Sequence, residues 1–240
     1  MKKALISIIV IVLLAGAGFG VWGYLKAQNI KKQGEDLRQI TSDTLSLKSI
    51  EPNDVEVSLE EWKNLSENSS SIRNEMSKIS NIPSGLESNL SQFYSDKSQG
   101  KYKEAQYLQI LLDGQRKLDL QAKTENKKSK GQIETILNEL REIQNQINQS
   151  NLSLGPEFDL LMKELQQEAD SFLSETAKVA EGMNYESPAI QLNAAGLDKT
   201  IDELKTAVTK SLNDWVSLQD KIKDEIGKLS TANWVNPLSK

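Results

Sequence analysis

Few residues in this chain have the type and spacing to do chemistry. Ser98-Gln-Gly-Lys101 sets a hydroxyl three positions from an amine, the S-x-x-K pattern in which lysine takes the proton of a nucleophilic serine. Sites of that kind also use S-D-N and K-T-G elements, and neither string occurs. Glu139 with Glu142, and Glu164 with Glu168, fall at helical spacing and could offer oxygens to a metal. Carboxylate bundles of the di-iron type complete such pairs with Glu-x-x-His, and the 240 residues include no histidine. No D-x-D-x-D-G calcium loop is present either. The acids therefore read as a solvated face, and no metal or cofactor is expected.

The chain also lacks cysteine. Together the two absences remove Ser-His-Asp triads, imidazole acid–base work, thiol nucleophiles, disulfides and thiolate metal sites. The net charge of −5 argues against nucleic acid as a partner, because phosphate binding needs a basic field. Lys123, Lys127, Lys128 and Lys130 are too dispersed to supply one and read as a solvated bend. Catalysis is not expected.

Gly18, Gly20 and Gly23 spell G-x-G-x-x-G behind an Ile/Val run. A dinucleotide site needs that string inside a strand–helix–strand unit, and no second strand follows. The glycines fit a membrane helix better. Gly16 and Gly20 form G-x-x-x-G, and with Gly23 they give a small-residue surface on which a second span could pack.

The membrane reading rests on Ala4–Leu25, 22 residues without a charge. As a helix they cover about 33 Å, against a hydrocarbon core of about 30 Å. Lys2 and Lys3 precede the run, and Trp22 and Tyr24 stand near its far end, where amphipathic rings favour the headgroup level. Lys26, Lys31 and Lys32 follow and could touch anionic headgroups, at about 1 kcal/mol each, or serve as stop-transfer charges. A cleaved leader ending after Ala17 is the rival, but the apolar run continues through Phe19, Val21 and Trp22 to Leu25. The layout favours an uncleaved signal anchor, with the bulk of the chain translocated to the extracytoplasmic side.

Everything beyond the span reads as helix. Ile30, Leu37, Ile40, Thr44 and Leu47 continue the helical spacing until Pro52 ends it. Ser58 and Glu61 form an S-x-x-E capping box, with Val57 placed to staple onto Trp62. Ser84 and Glu87 suggest a second box, opening a short helix that ends near Gly100. Gly100–Ala105 resembles the turn of a tetratricopeptide hairpin, but no copy stands 34 residues away, so it reads as an ordinary helical hairpin. Ile133, Ile136, Leu137, Leu140, Ile143 and Ile147 make a clean apolar stripe, and Pro156 suits the first position of the next helix. A less regular connection spans 182–196.

The last helix carries the longest stripe. Leu197, Ile201, Leu204, Val208, Leu212, Trp215, Leu218 and Ile222 continue to Ile226 and Leu229, long enough for a coiled-coil-like seam. These residues are the expected surface for docking a partner.

The expected fold is all-α: residues 1–3 a short tail, 4–25 a transmembrane helix and 26–57 a juxtamembrane helix and linker. An elongated antiparallel bundle follows at 58–229, then a loose tail at 230–240. The expected role is a cell-envelope scaffold that meets a protein partner or a second copy of itself. The alternative is a bundle that senses a small molecule and signals through a separate membrane partner.

Overall fold

The computed structural model describes residues 21–51, 56–119, 129–182, 194 and 196–232, together with the helical backbone of 2–20 and 195. Among them are seven helices and no strand: α1 (Lys2–Thr41), α2 (Leu59–Met76), α3 (Ser84–Phe93), α4 (Lys97–Lys117), α5 (Lys130–Gln149), α6 (Pro156–Gly182) and α7 (Ala195–Ser230). The chain is all-α, as its periodicity predicts. The connection at 183–193, the tail from 233 and Lys123, Lys127 and Lys128 lie outside the described residues.

Local signals explain most of the boundaries. At the head of α2, Ser58 Oγ donates to the Glu61 carboxylate. That bond is the largest influence holding the Glu61 carboxyl below its ordinary range. Val57 and Trp62 are both buried, as the staple requires. The second expected box does not form. Pro83 is the N-cap of α3 and makes no side-chain bond, while Ser84 is already helical. A box that the sequence reading passed over opens α5 instead, where Ser129 Oγ accepts from the Gln132 N–H and Gln132 Oε1 accepts from the Ser129 N–H. Before α6 the chain turns through Asn151 (φ 46°) and Gly155 (φ 122°). No side chain adopts the latter readily, so glycine is needed there. Pro156 then begins α6, with Glu157 and Asp159 in the first turn where the helix dipole favours acids.

Two boundaries differ from the expectation: α1 ends at Thr41, well ahead of the stop expected at Pro52, which lies outside the described residues. Gly100 is not a turn, because α4 starts at Lys97 and runs through it. The break falls earlier, after Phe93.

The helices form two compact units. The first comprises Met1–Leu47, Glu67–Asp96 and Ser217–Lys240. Its core contains Leu37, Met76, Leu90, Phe93, Tyr94 and Ile222. Here α1 meets the end of α7 closely: a Cβ on Gly34 would lie 2.6 Å from Ser230 N and 2.9 Å from Leu229 Cβ. Tyr94 shares a 2.8 Å hydrogen bond with Thr44, both buried. Burial pushes the Tyr94 hydroxyl well above its ordinary range.

The second unit comprises Lys48–Ser66 and Lys97–Val216. Its core gathers the α5 stripe, Trp62, Tyr107, Phe158, Phe172 and the first two-thirds of the α7 stripe. Tyr107 packs edge-on against Phe158 at 5.9 Å, and burial raises its hydroxyl too.

Residues 26–57 therefore differ from the expected linker. Ala27, Leu37, Thr41, Thr44, Leu45, Leu47, Ile50 and Val57 are all buried. Those up to Leu47 belong to the first unit, and Ile50 and Val57 to the second.

Candidate functional site

The end of the uncharged run is the first place to look. Val21 (60%), Trp22 (44%), Tyr24 (55%) and Leu25 (57%) are exposed. Lys26 Nζ stands 4.7 Å from the centre of the Trp22 ring, and Lys32 is exposed while Lys31 is half-buried. The opposite face is different. Gly23, Ala27, Gly34, Leu37 and Thr41, three, four or seven residues apart, are buried. Among the described side chains of α1, large apolar groups thus face outward at Val21–Leu25, and Ala27 and Leu37 face inward.

The expected membrane-packing glycines divide accordingly. Gly23 belongs to the buried face of α1. Gly16 and Gly20 lie outside the described residues, as do the other side chains of the uncharged run before Val21. Among the described residues no helix is long and apolar enough to cross a membrane.

The expected docking seam is occupied by the chain itself. Leu197, Ile201, Leu204, Val208, Leu212, Trp215, Leu218 and Ile222 are each at most 8% exposed. A stripe that apolar and that long is worth most when covered, and the chain's own helices cover it. A partner cannot dock there without unfolding the bundle, so the docking assignment is corrected to a core one.

The S-x-x-K pair has become a buried polar cluster in the second unit. Lys101 Nζ donates to both Glu104 carboxylate oxygens, at 2.8 and 2.9 Å, and to Ser211 Oγ at 2.7 Å. It also stands 5.0 Å from the centre of the Trp215 ring. The Lys101 and Glu104 side chains are only 9% and 7% exposed. Lys101 Nζ thus directs its hydrogen bonds to Glu104 and Ser211, the geometry of a buried ion pair with one further hydroxyl acceptor. The cluster ties α4 to α7.

The carboxylate pairs stay apart from any metal-like grouping. Among the described residues no three acids converge. Glu142 and Glu164 are exposed. Glu168 reaches the start of α7, its Oε2 lying 2.5 Å from where a Cβ on Gly196 would be. A carboxylate there complements the helix dipole.

Two features were not legible beforehand. In the second unit, Asn213 reads the backbone of Ile50, accepting from its N–H and donating to its carbonyl, both at 2.9 Å. Gln109 accepts from the Val57 N–H at 2.8 Å. In the first unit, Gln219 grips Leu47 in the same two-ended way. The second feature is a cavity of about 40 Å³ among α4, α5, α6 and α7. Leu111, Leu140, Ile143, Phe172 and Ile201 wall it, with Gln144, Asn148 and Gln166 also on its lining. Gln166 bonds Asn148 at 2.9 Å and Gln144 bonds Asp170 at 2.8 Å, strapping α5 to α6.

No family model, curated protein or solved structure matches the chain. The functional reading therefore rests on this geometry.

Proposed function

We propose that the protein is a membrane-anchored helical scaffold of the cell envelope, without catalysis, whose bundle stands on the extracytoplasmic side. The supporting observation is the division of α1. Its uncharged run ends in exposed Val21, Trp22, Tyr24 and Leu25, while Ala27, Leu37 and Thr41 further along are core residues. An anchor that continues directly into the core holds the bundle at the bilayer without a flexible stalk. Protein partners, including a second copy, then meet it through Gly16 and Gly20 in the membrane or through exposed bundle faces, since the α7 stripe is filled.

Flotation of membranes tests the reading. The intact chain should float with lipid after a high-salt wash and enter the soluble fraction only with detergent. Protease added to intact cells with the outer face accessible should digest the bundle. Protection of the bundle there would contradict the orientation.

The α4–α7 cavity favours one second reading, a bundle that senses a small molecule and signals through a separate partner. Its apolar walls and amide lining have the makeup of a ligand site. At about 40 Å³ it has room for only a few waters, so a metabolite would have to part the α5–α6 amide straps. A thermal-shift screen of metabolites separates the readings: a ligand that raises the melting temperature supports sensing.

A further inference from the structure

The turn between α2 and α3 is fixed in height along α1. Gln33 Nε2 donates to the Ser80 carbonyl at 2.7 Å, within the first unit. Gln33 stands eight residues beyond Leu25, which is about 12 Å along the helix axis. The headgroup layer adds roughly 5–8 Å to each side of the hydrocarbon core. A side chain from a turn at that height, if it is long, reaches the outer headgroups.

The turn carries suitable side chains. Lys78 is exposed, and Ile79 and Ile82 are half-exposed. The two isoleucines border an open cleft of about 680 Å³, together with Met76 and Leu90. Asn81, at φ 62°, turns the chain back between them. Arg73 also lines the cleft but is bonded to Asp96 at 2.8 Å, which removes it as a receptor for free anions. Among the described residues the turn itself carries one cation, Lys78, beside two aliphatic side chains, while Glu87 and Asp96 stand on the cleft lining.

We infer that Ser77–Pro83 is a second membrane contact, reaching anionic lipid headgroups through Lys78. The inference rests on the proposed span at residues 4–25. A lone helical anchor leaves a bundle free to spin and lean about the helix axis. A second contact removes that freedom and gives the first unit one orientation on the bilayer.

The absence of cysteine makes single-site labelling unambiguous. The full chain, carrying Tyr24→Cys, Ser80→Cys or Ser46→Cys, is labelled with an environment-sensitive fluorophore. It is then reconstituted in phosphatidylcholine vesicles containing one quarter phosphatidylglycerol. A headgroup-level spin-labelled lipid should quench positions 24 and 80 and leave 46 bright. Removing phosphatidylglycerol, or adding Lys78→Glu, should lower quenching at 80 by about twofold and leave 24 unchanged. Quenching at 24 without quenching at 80 overturns the inference and leaves the anchor standing. Quenching at 80 that is indifferent to both lipid charge and Lys78→Glu also overturns it, because the turn is then merely nearby. No quenching at 24 overturns the anchor and the inference together.

Discussion

Gln219 holds Leu47 by both of its backbone groups. The Leu47 N–H donates to Gln219 Oε1 at 2.8 Å, and Gln219 Nε2 donates to the Leu47 carbonyl at 3.0 Å. Gln219 is fully buried in a helix whose stripe is otherwise apolar, so an amide there is tolerable only because both its ends are satisfied. The pairing does for an isolated extended residue what a neighbouring strand would do.

Replacing Gln219 with alanine should strand a buried donor and a buried acceptor, costing about 2–4 kcal/mol. Gln219→Glu keeps the acceptor but loses the donor, so urea melts should place it between wild type and the alanine variant. Equal stability of all three would show that Leu47 finds other partners.

Lys101 and Glu104 form a buried pair, and their variants should behave asymmetrically. Lys101→Met alone leaves an uncompensated carboxylate and should cost about 3–5 kcal/mol. Lys101→Met with Glu104→Leu removes both charges and should recover most of that loss. A double variant as unstable as the single one would assign the cost to Ser211 and Trp215 instead.

Gly34 is where α1 and the end of α7 come closest. The obstacle to a larger residue is the Ser230 backbone nitrogen, which cannot swing aside as a side chain would. Gly34→Ala should therefore destabilise the protein by about 1–3 kcal/mol, despite alanine's better helix propensity. A higher melting temperature for the variant would place the two helices further apart.

Alkali should weaken the fold through two tyrosines. Burial raises the hydroxyls of Tyr94 and Tyr107 from an ordinary value of 10.0. The neutral forms are thus favoured when folded, and that contribution is complete below pH 10 and declines as pH climbs past it. Tyr94→Phe and Tyr107→Phe should flatten the fall in stability above about pH 10. An unchanged slope in the double variant would assign the decline to the lysines.

The helical character was readable from periodicity, and α5 is the clearest case. Its predicted stripe, Ile133 to Ile147, is the set of residues buried in that helix. On α6 burial is wider than one stripe, since Leu173 is buried beside Phe172 and Ala180 is buried beyond Thr176. The helix has neighbours on more than one side, and a single stripe cannot describe that. Glycine misled at Gly100, which an α-helix tolerates at a modest cost. Proline misled at Ser84, because Pro83 itself took the cap.

The polar features were hidden for a different reason. Gln219 meets a backbone 172 positions away, and a backbone has no sequence signature. Lys101 and Glu104 stand three apart in plain view, but their burial depends on Ser211 and Trp215 in another helix. The long α7 stripe was legible as apolar. Whether a partner or the chain itself covers it was a question only the fold could answer.

The central claim is that α1 is both anchor and core, and flotation with mass measurement of the recovered chain tests it most directly. Salt-washed membranes should float with a protein whose mass includes residues 1–25, released only by detergent. Recovery in the soluble fraction, either as the intact chain or as a chain beginning after Ala17, would contradict it.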